Sequence, residues 1–209
     1  MRVQLRIVAG SLRGRKLSCT VGPDLRPTPQ MVREALFSIL GDAVPGRAFY
    51  DVFAGTGVNG IEALSRGASS AVFLERDFRL VDDLERHLKS FKLLDSARIL
   101  RADVYRWAER WTPPADAVNV FLSPPFADLE GKPGDLLGML RAMQEKLAPN
   151  SVLVLQAEAC PTLAELPQRE AWDERKYGRN LLYFWVKPTP GVSREGEPPV
   201  TGAEAPGPS

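Results

Sequence analysis

Asp51, a glycine turn at 55–57, Glu75, Asp103 and the run Ser123-Pro124-Pro125-Phe126 are this chain's candidates for binding and catalysis. Asp51 lies in an apolar run over 48–53 that reads as a buried strand. Phe53, Ala54, Gly55, Thr56 and Gly57 follow it, and a helix begins near 61. Strand, glycine turn and helix make the unit that binds nucleotide-like cofactors, because a backbone without Cβ can turn sharply and approach a ligand closely. Gly55, Gly57 and Gly60 satisfy G-x-G-x-x-G. Glu75 ends the next apolar run, 71–74, at the separation expected of an acid that holds ribose hydroxyls. On these letters a nicotinamide dinucleotide stays open. Asp51 argues against it, since a carboxylate beside the turn repels a pyrophosphate but attracts the ammonium or sulfonium of S-adenosyl-L-methionine.

A second constellation points the same way. The apolar run 118–122 ends in Ser123, Pro124, Pro125 and Phe126. Two prolines hold the chain rigid and extended as it leaves the sheet, and the Pro124 carbonyl is left free to accept. A side-chain oxygen, a free carbonyl and an aromatic ring are what the methylation of an exocyclic amine requires: two acceptors for the NH₂ group and a surface on which the base stacks. The structural alternative is a loop with its Phe tucked into the core.

The chain resembles the RsmD family of small-subunit ribosomal RNA methyltransferases. The resemblance is carried by the segments 6–10, 12–17, 25–28, 32–37, 51–57, 60–68 and 75–77, together with Pro124-Pro125-Phe126. It implies transfer of a methyl group from S-adenosyl-L-methionine to the N2 amine of a guanine in 16S rRNA, either free or in the assembling small subunit. It also implies a Rossmann-like class I α/β fold: a seven-stranded, mostly parallel sheet with its last strand antiparallel, helices on both faces, and an N-terminal β-hairpin extension. On the same resemblance Asp51, Phe53, Ala54, Gly55, Thr56, Gly57 and Gly60 surround the methionine portion. Glu75, with Arg76 beside it in the motif, takes the ribose, and Asp103 takes the adenine amine. Asp103 is equally compatible with capping a helix. In one place the chain departs from the family, which usually has Asp or Asn where Ser123 stands. The hydroxyl still offers two lone pairs, and enzymes that methylate the N4 amine of cytosine resemble the Ser-Pro-Pro version. Cytosine-N4 methylation and a non-catalytic RNA-binding role are therefore the alternatives.

Lysines and arginines number 27 against 26 acids, for a net charge of +1, yet the distribution is uneven: no acid precedes Asp24. Arg2, Arg6, Arg13, Arg15 and Lys16 fall on a hairpin that would present them together to RNA phosphates, or would simply guard an edge strand. Next comes a helix with Thr28 as a cap, Pro29 at its first position and an apolar face of Met31, Val32, Ala35, Leu36, Ile39 and Leu40. The resemblance places Arg26, Thr28 and Arg33 near the catalytic loop as candidates for substrate contact; Arg33 is otherwise a surface charge.

Around these residues helical and strand patterns alternate along the chain. Helices are expected over 78–94 and 134–147, and strands over 97–100, 151–156 and 181–186. A 209-residue chain with 44% apolar residues suffices for one principal domain. We expect a hairpin extension over 1–24, a methyltransferase domain over 25–187 and a Pro- and Gly-rich disordered tail over 188–209. No apolar run approaches the roughly 20 residues of a membrane span, and no signal peptide is evident. Two cysteines and one histidine, His87 on a solvated helix face, leave no metal site to expect. A cytoplasmic monomer is the expectation.

Overall fold

The computed structural model describes residues 1–22 and 25–191. Strands β1 (Arg2–Arg6) and β2 (Lys16–Thr20) form an antiparallel hairpin with Arg6 opposite Lys16. Leu17 and Cys19, alternate residues of β2, turn inward. With Ile7 and Val21 they share a core with α2 (Val58–Ser65) and α3 (Phe78–Ser90).

The main sheet contains β3 (Ala48–Val52), β4 (Ser70–Glu75), β5 (Ala97–Arg101), β6 (Asn119–Leu122), β7 (Val152–Glu158), β8 (Asp173–Tyr177) and β9 (Asn180–Val186), in the order β5-β4-β3-β6-β7-β9-β8. The pairings from β5 through β7 are parallel, and β9 runs antiparallel to both of its neighbours. The chain winds outward from β3 through β4 to β5, then crosses back to β6. The carboxyl ends of β3 and β6 thus flank the point where the winding reverses, which is where open α/β sheets bind ligands.

Both faces of the central strands are covered, which is why they read as unbroken apolar runs. On one face Phe49 stacks between Phe37 of α1 (Gln30–Leu40) and Phe121. On the other, Tyr50, Val52, Val120 and Leu122 pack with α4 (Val104–Arg110) and α6 (Pro133–Lys146). A short α5 (Phe126–Gly131) follows the paired prolines.

Several local expectations are corrected. α1 starts at Gln30 with Pro29 as its N-cap, and no side chain caps it. Its inward face is Val32, Arg33, Leu36, Phe37 and Leu40, whereas Met31 and Ile39 are exposed. The face is rotated because Arg33 finds carbonyl acceptors inside. α3 stops at Ser90, with Lys92 in left-handed backbone (φ 58°) just beyond it. His87 is not a solvated residue: its Nε2 lies 3.1 Å from the Ser18 carbonyl, and the ring is tucked against β2. β8, Asp-Glu-Arg-Lys-Tyr, forms a strand without the apolar pattern that predicts one. The expected tail falls almost wholly on 192–209, outside the described residues.

Candidate cofactor and substrate site

The glycine loop is shaped by left-handed backbone at Phe53 (φ 64°), Gly55 (φ 55°) and Gly57 (φ 71°). A non-glycine residue in that region is uncommon, and Phe53 is held there with its ring edge-on to Tyr105 at 5.9 Å. The glycines also answer to close packing. A Cβ on Gly57 would lie 2.4 Å from Leu84 Cδ1, and one on Gly60 would lie 2.2 Å from the Phe73 ring. Gly57 therefore matters for how α2 seats against α3, not only for ligand approach. Leu25 lies against Gly55. The Ala54 amide donates to the Leu74 carbonyl at 2.8 Å, and Thr56 is buried.

Asp51 is fully buried behind this loop. Its Oδ2 accepts from the Gly60 amide at 2.9 Å, while its Oδ1 has no partner. Burial pushes the carboxyl up to about 7 against the pull of the Gly60 amide, and Glu75 adds to the rise. An orphaned carboxylate oxygen whose proton is held near neutrality is satisfied by a cation and made worse by a pyrophosphate. The residues present therefore fit S-adenosylmethionine better than a dinucleotide.

Glu75, at the end of β4, turns back on the loop. Its Oε2 accepts from Gly55 N–H at 2.8 Å, and its Oε1 accepts from the amides of Arg76 (2.8 Å) and Asp77 (2.9 Å). The Arg76 side chain is exposed. Asp103 caps α4, accepting from the Arg106 amide at 3.1 Å. The capping role that the sequence allowed is thus observed, and the exposed carboxylate lies just beyond the end of β5, the strand that pairs with β4.

The proline loop is brought to the glycine loop by strand register. Val52 pairs with Leu122, and one residue further on the Ser123 amide donates to the Val52 carbonyl at 3.3 Å. Ser123 is partly exposed, Pro124 is buried and Pro125 caps α5, its carbonyl accepting from Asp128 at 2.9 Å. Phe126 is 50% exposed. A large ring left half in solvent on the first turn of a helix is not tucked into the core, and it is available for a base to stack on.

The N-terminal residues divide. Arg6, Arg13, Arg15 and Lys16 are all exposed on the hairpin and its turn, with Arg15 lying over the Phe91 ring at 4.9 Å. Arg26 is exposed and pairs with Glu158 at 3.2 Å. Thr28 and Arg33 are buried, so neither offers a free side chain to a substrate. Arg33 donates to the carbonyls of Thr28 and Arg6, both at 2.7 Å. Thr28 Oγ1 donates to Gln156 at 2.8 Å and accepts from Asn59 at 3.1 Å. Together they lock the 25–29 segment to α2 and β7, a positioning role in place of the expected contact.

Glu62 and Ser65 were missed by sequence reasoning. Glu62, fully buried, accepts from the amides of Val8 (2.8 Å) and Ala9 (3.0 Å) and from Arg66 (2.9 Å). Ser65 donates to the Ala9 carbonyl and accepts from the Leu12 amide. Gly10 passes so close that a Cβ would lie 1.7 Å from the Ser65 carbonyl oxygen. The signal was a charge inside the apolar run 61–64, on a helix buried on every side.

A doubly wound sheet of this order, with a glycine loop at its switch point and acids at the ends of the next two strands, defines a class I S-adenosylmethionine-dependent methyltransferase fold. The solved structure of Escherichia coli yhhF matches with a TM-score of 0.73 and 29% identity, covering 89% of this chain and 99% of that one. The fold is shared by Thermus thermophilus RsmC, a 16S rRNA N2 methyltransferase solved with AdoMet and guanosine, at a TM-score of 0.66 and 23% identity over 90% of this chain and 50% of that one. Ribosomal RNA small subunit methyltransferase D of Escherichia coli K12 is 31% identical over 183 residues, 86% of this chain and 88% of its own. Residues 5–186 match the family described as Conserved hypothetical protein 95. The chain belongs to this family, the RsmD family.

Proposed function

We propose that this protein transfers a methyl group from S-adenosyl-L-methionine to the N2 amine of a guanine in 16S rRNA. The observation that carries the reading is the β3–β6 register, which sets the Ser-Pro-Pro-Phe loop directly beside the glycine loop. The similarity to ribosomal RNA small subunit methyltransferase D over most of both chains supports the substrate. When bound, the cofactor supplies an electrophilic methyl group on a sulfonium. The chain's own residues do the rest. Asp51 and the loop 53–57, with Gly60, seat the methionine end; Glu75 and Arg76 border the ribose; Asp103 faces the adenine.

An exocyclic amine inside a helix is out of reach, so the target guanine must be unpaired or flipped. Phe126 stacks on it. The Ser123 hydroxyl and the Pro124 carbonyl accept hydrogen bonds from the two amine N–H groups, which turns the nitrogen lone pair toward the methyl group; the one proton that the amine gives up on methylation passes to water. Most of the acceleration then comes from orientation. The exposed hairpin arginines with Lys16, and Arg26, hold phosphates. We further propose action in the cytoplasm as a monomer on the assembling subunit, with 1–24 as an RNA-gripping extension of the 25–187 domain. Among the described residues no helix is long and apolar enough to cross a membrane.

The test is mass-spectrometric mapping of 16S rRNA from a deletion strain. Loss of one N2-methylguanosine, restored by the intact gene, is expected. An unchanged modification pattern overturns the reading.

A further inference from the structure

A groove of about 690 Å³ runs along the sheet face beneath α4 and meets the site described above only at its rim, Asp103. Its floor is a row across three strands: Tyr50 pairs with Val72, and Val72 pairs with Arg98, so the three side chains lie on one face. Because α4 is only seven residues long, it leaves this row uncovered toward β5. The wall is aromatic. Trp107 and Trp111 stack with centroids 4.9 Å apart, and Tyr50 lies 5.0 Å from Trp111. Trp107 is only partly buried.

Arg98, Arg106 and Arg110 line the same groove, and all three are exposed. None makes an ion pair or a side-chain hydrogen bond among the described residues, whereas Arg26, Arg66, Arg79 and Arg86 each have an acidic partner. A single free arginine is an ordinary surface feature. Three around one aromatic groove repel each other, and a chain of phosphates relieves that repulsion while its bases find a ring to stack on.

We propose that this groove binds a single-stranded segment of RNA, with the three guanidiniums on phosphates and Trp107 against a base. The inference rests on the RNA substrate of the preceding section. It adds a second grip. The hairpin shares its core with Ala71 and Phe73, on the sheet face opposite Val72. The two basic surfaces thus lie on opposite faces, with the carboxyl edge and the proline loop between them. RNA crossing that edge is held on both sides of the target base.

The test compares the full chain with an R98Q/R106Q/R110Q variant and with Trp107→Phe, using a fluorescent oligouridylate as the probe. The triple variant is expected to bind at least about tenfold more weakly. Its slope of log affinity against log salt should fall by about 2, since each single-strand phosphate contact contributes about 0.7. S-adenosylhomocysteine affinity, which needs α4 in place, should be unchanged. Binding should quench the parent's tryptophan emission, and Trp107→Phe should lose most of that quench. Parent-like affinity and slope in the triple variant, with both reduced in a hairpin variant, overturn the groove while leaving the RNA substrate standing. A parent that binds neither the oligouridylate nor 16S rRNA overturns both. Parent-like RNA binding with lost co-sedimentation on small subunits assigns the groove to a protein contact and overturns the proposal.

Discussion

Tyr105 donates its hydroxyl to Asp128 Oδ2 at 2.9 Å, joining the helix capped by Asp103 to the helix that begins at Phe126. The same ring stands edge-on to Phe53 of the glycine loop. Burial, and then Asp128 itself, push the Tyr105 hydroxyl well above its ordinary range, so it remains a donor throughout the physiological range. One side chain therefore touches the glycine loop and anchors the helix that follows the paired prolines. Tyr105→Phe keeps the ring and leaves the buried Asp128 short of a partner. We expect a stability loss of about 1–3 kcal/mol by thermal or denaturant melting and a slower methyl transfer at saturating cofactor. Unchanged stability and rate would show that the bond positions nothing.

For Asp51 the sign of the pH effect is fixed by burial. Its folded-state pKa, about 7, lies above the ordinary 3.8, so the ionised form is the one the fold disfavours. Its contribution to stability is fully present below about pH 4 and is lost as pH rises through about 7. In the absence of ligand the parent's Tm should decline relative to Asp51→Asn between about pH 4 and pH 7 and level off above that. A cation bound beside it reverses the preference, so S-adenosylmethionine should bind more tightly across the same rise and release a proton. Parallel Tm curves would contradict the buried, protonated carboxyl.

Gly57→Val combines a left-handed φ with a Cβ that meets the packed Leu84. Overpacking and backbone strain together should cost about 1–3 kcal/mol. Calorimetry on the fraction that remains folded should detect no S-adenosylhomocysteine binding. Full affinity in a folded variant would remove this loop from the site.

Arg13→Ala, Arg15→Ala and Lys16→Ala together should weaken RNA binding and flatten its salt dependence, leaving cofactor affinity intact. Arg15 also covers Phe91, so a modest drop in Tm accompanies the loss of charge. An identical salt slope for parent and variant would reduce the hairpin to a structural part.

Much of this site was legible in the sequence because its parts are local. Val52 and Leu122 sit in strands buried on both faces, and such strands advertise themselves as apolar runs. The loops after them carry glycines and prolines whose backbone needs are written in their own letters. The residues that were misread depend on distant partners. Arg33 goes inside because carbonyls of Thr28 and Arg6 receive its guanidinium, and no helical period announces an acceptor 27 residues away. Glu62 is buried for the same reason, by the amides of Val8 and Ala9. β8 reads Asp-Glu-Arg-Lys-Tyr and was invisible: an edge strand with charged side chains resists aggregation but lacks the pattern by which strands are recognised. The aromatic and arginine groove beneath α4 was equally unreadable, since its floor exists only once β3, β4 and β5 are in register.

Ser123 is the residue at which the chain leaves its family's usual pattern. Ser123→Ala should lower the single-turnover rate by about tenfold to a hundredfold, the worth of one hydrogen bond of about 1–3 kcal/mol in the transition state. Cofactor affinity should barely change, and Ser123→Asp should stay active. Parent-like rates in the Ala variant would leave the orienting role to the Pro124 carbonyl alone.

In the proposed reaction the Ser-Pro-Pro-Phe loop presents a guanine N2 to the methyl donor. Its most direct test is single-turnover transfer of an isotope-labelled methyl group to small subunits or 16S rRNA from the deletion strain, followed by nuclease digestion and mass spectrometry of the nucleosides. We expect label in N2-methylguanosine at one position, at a rate that falls when Phe126 is replaced by Ala. Label in N4-methylcytidine, or no transfer by protein that binds S-adenosylhomocysteine normally, would contradict it.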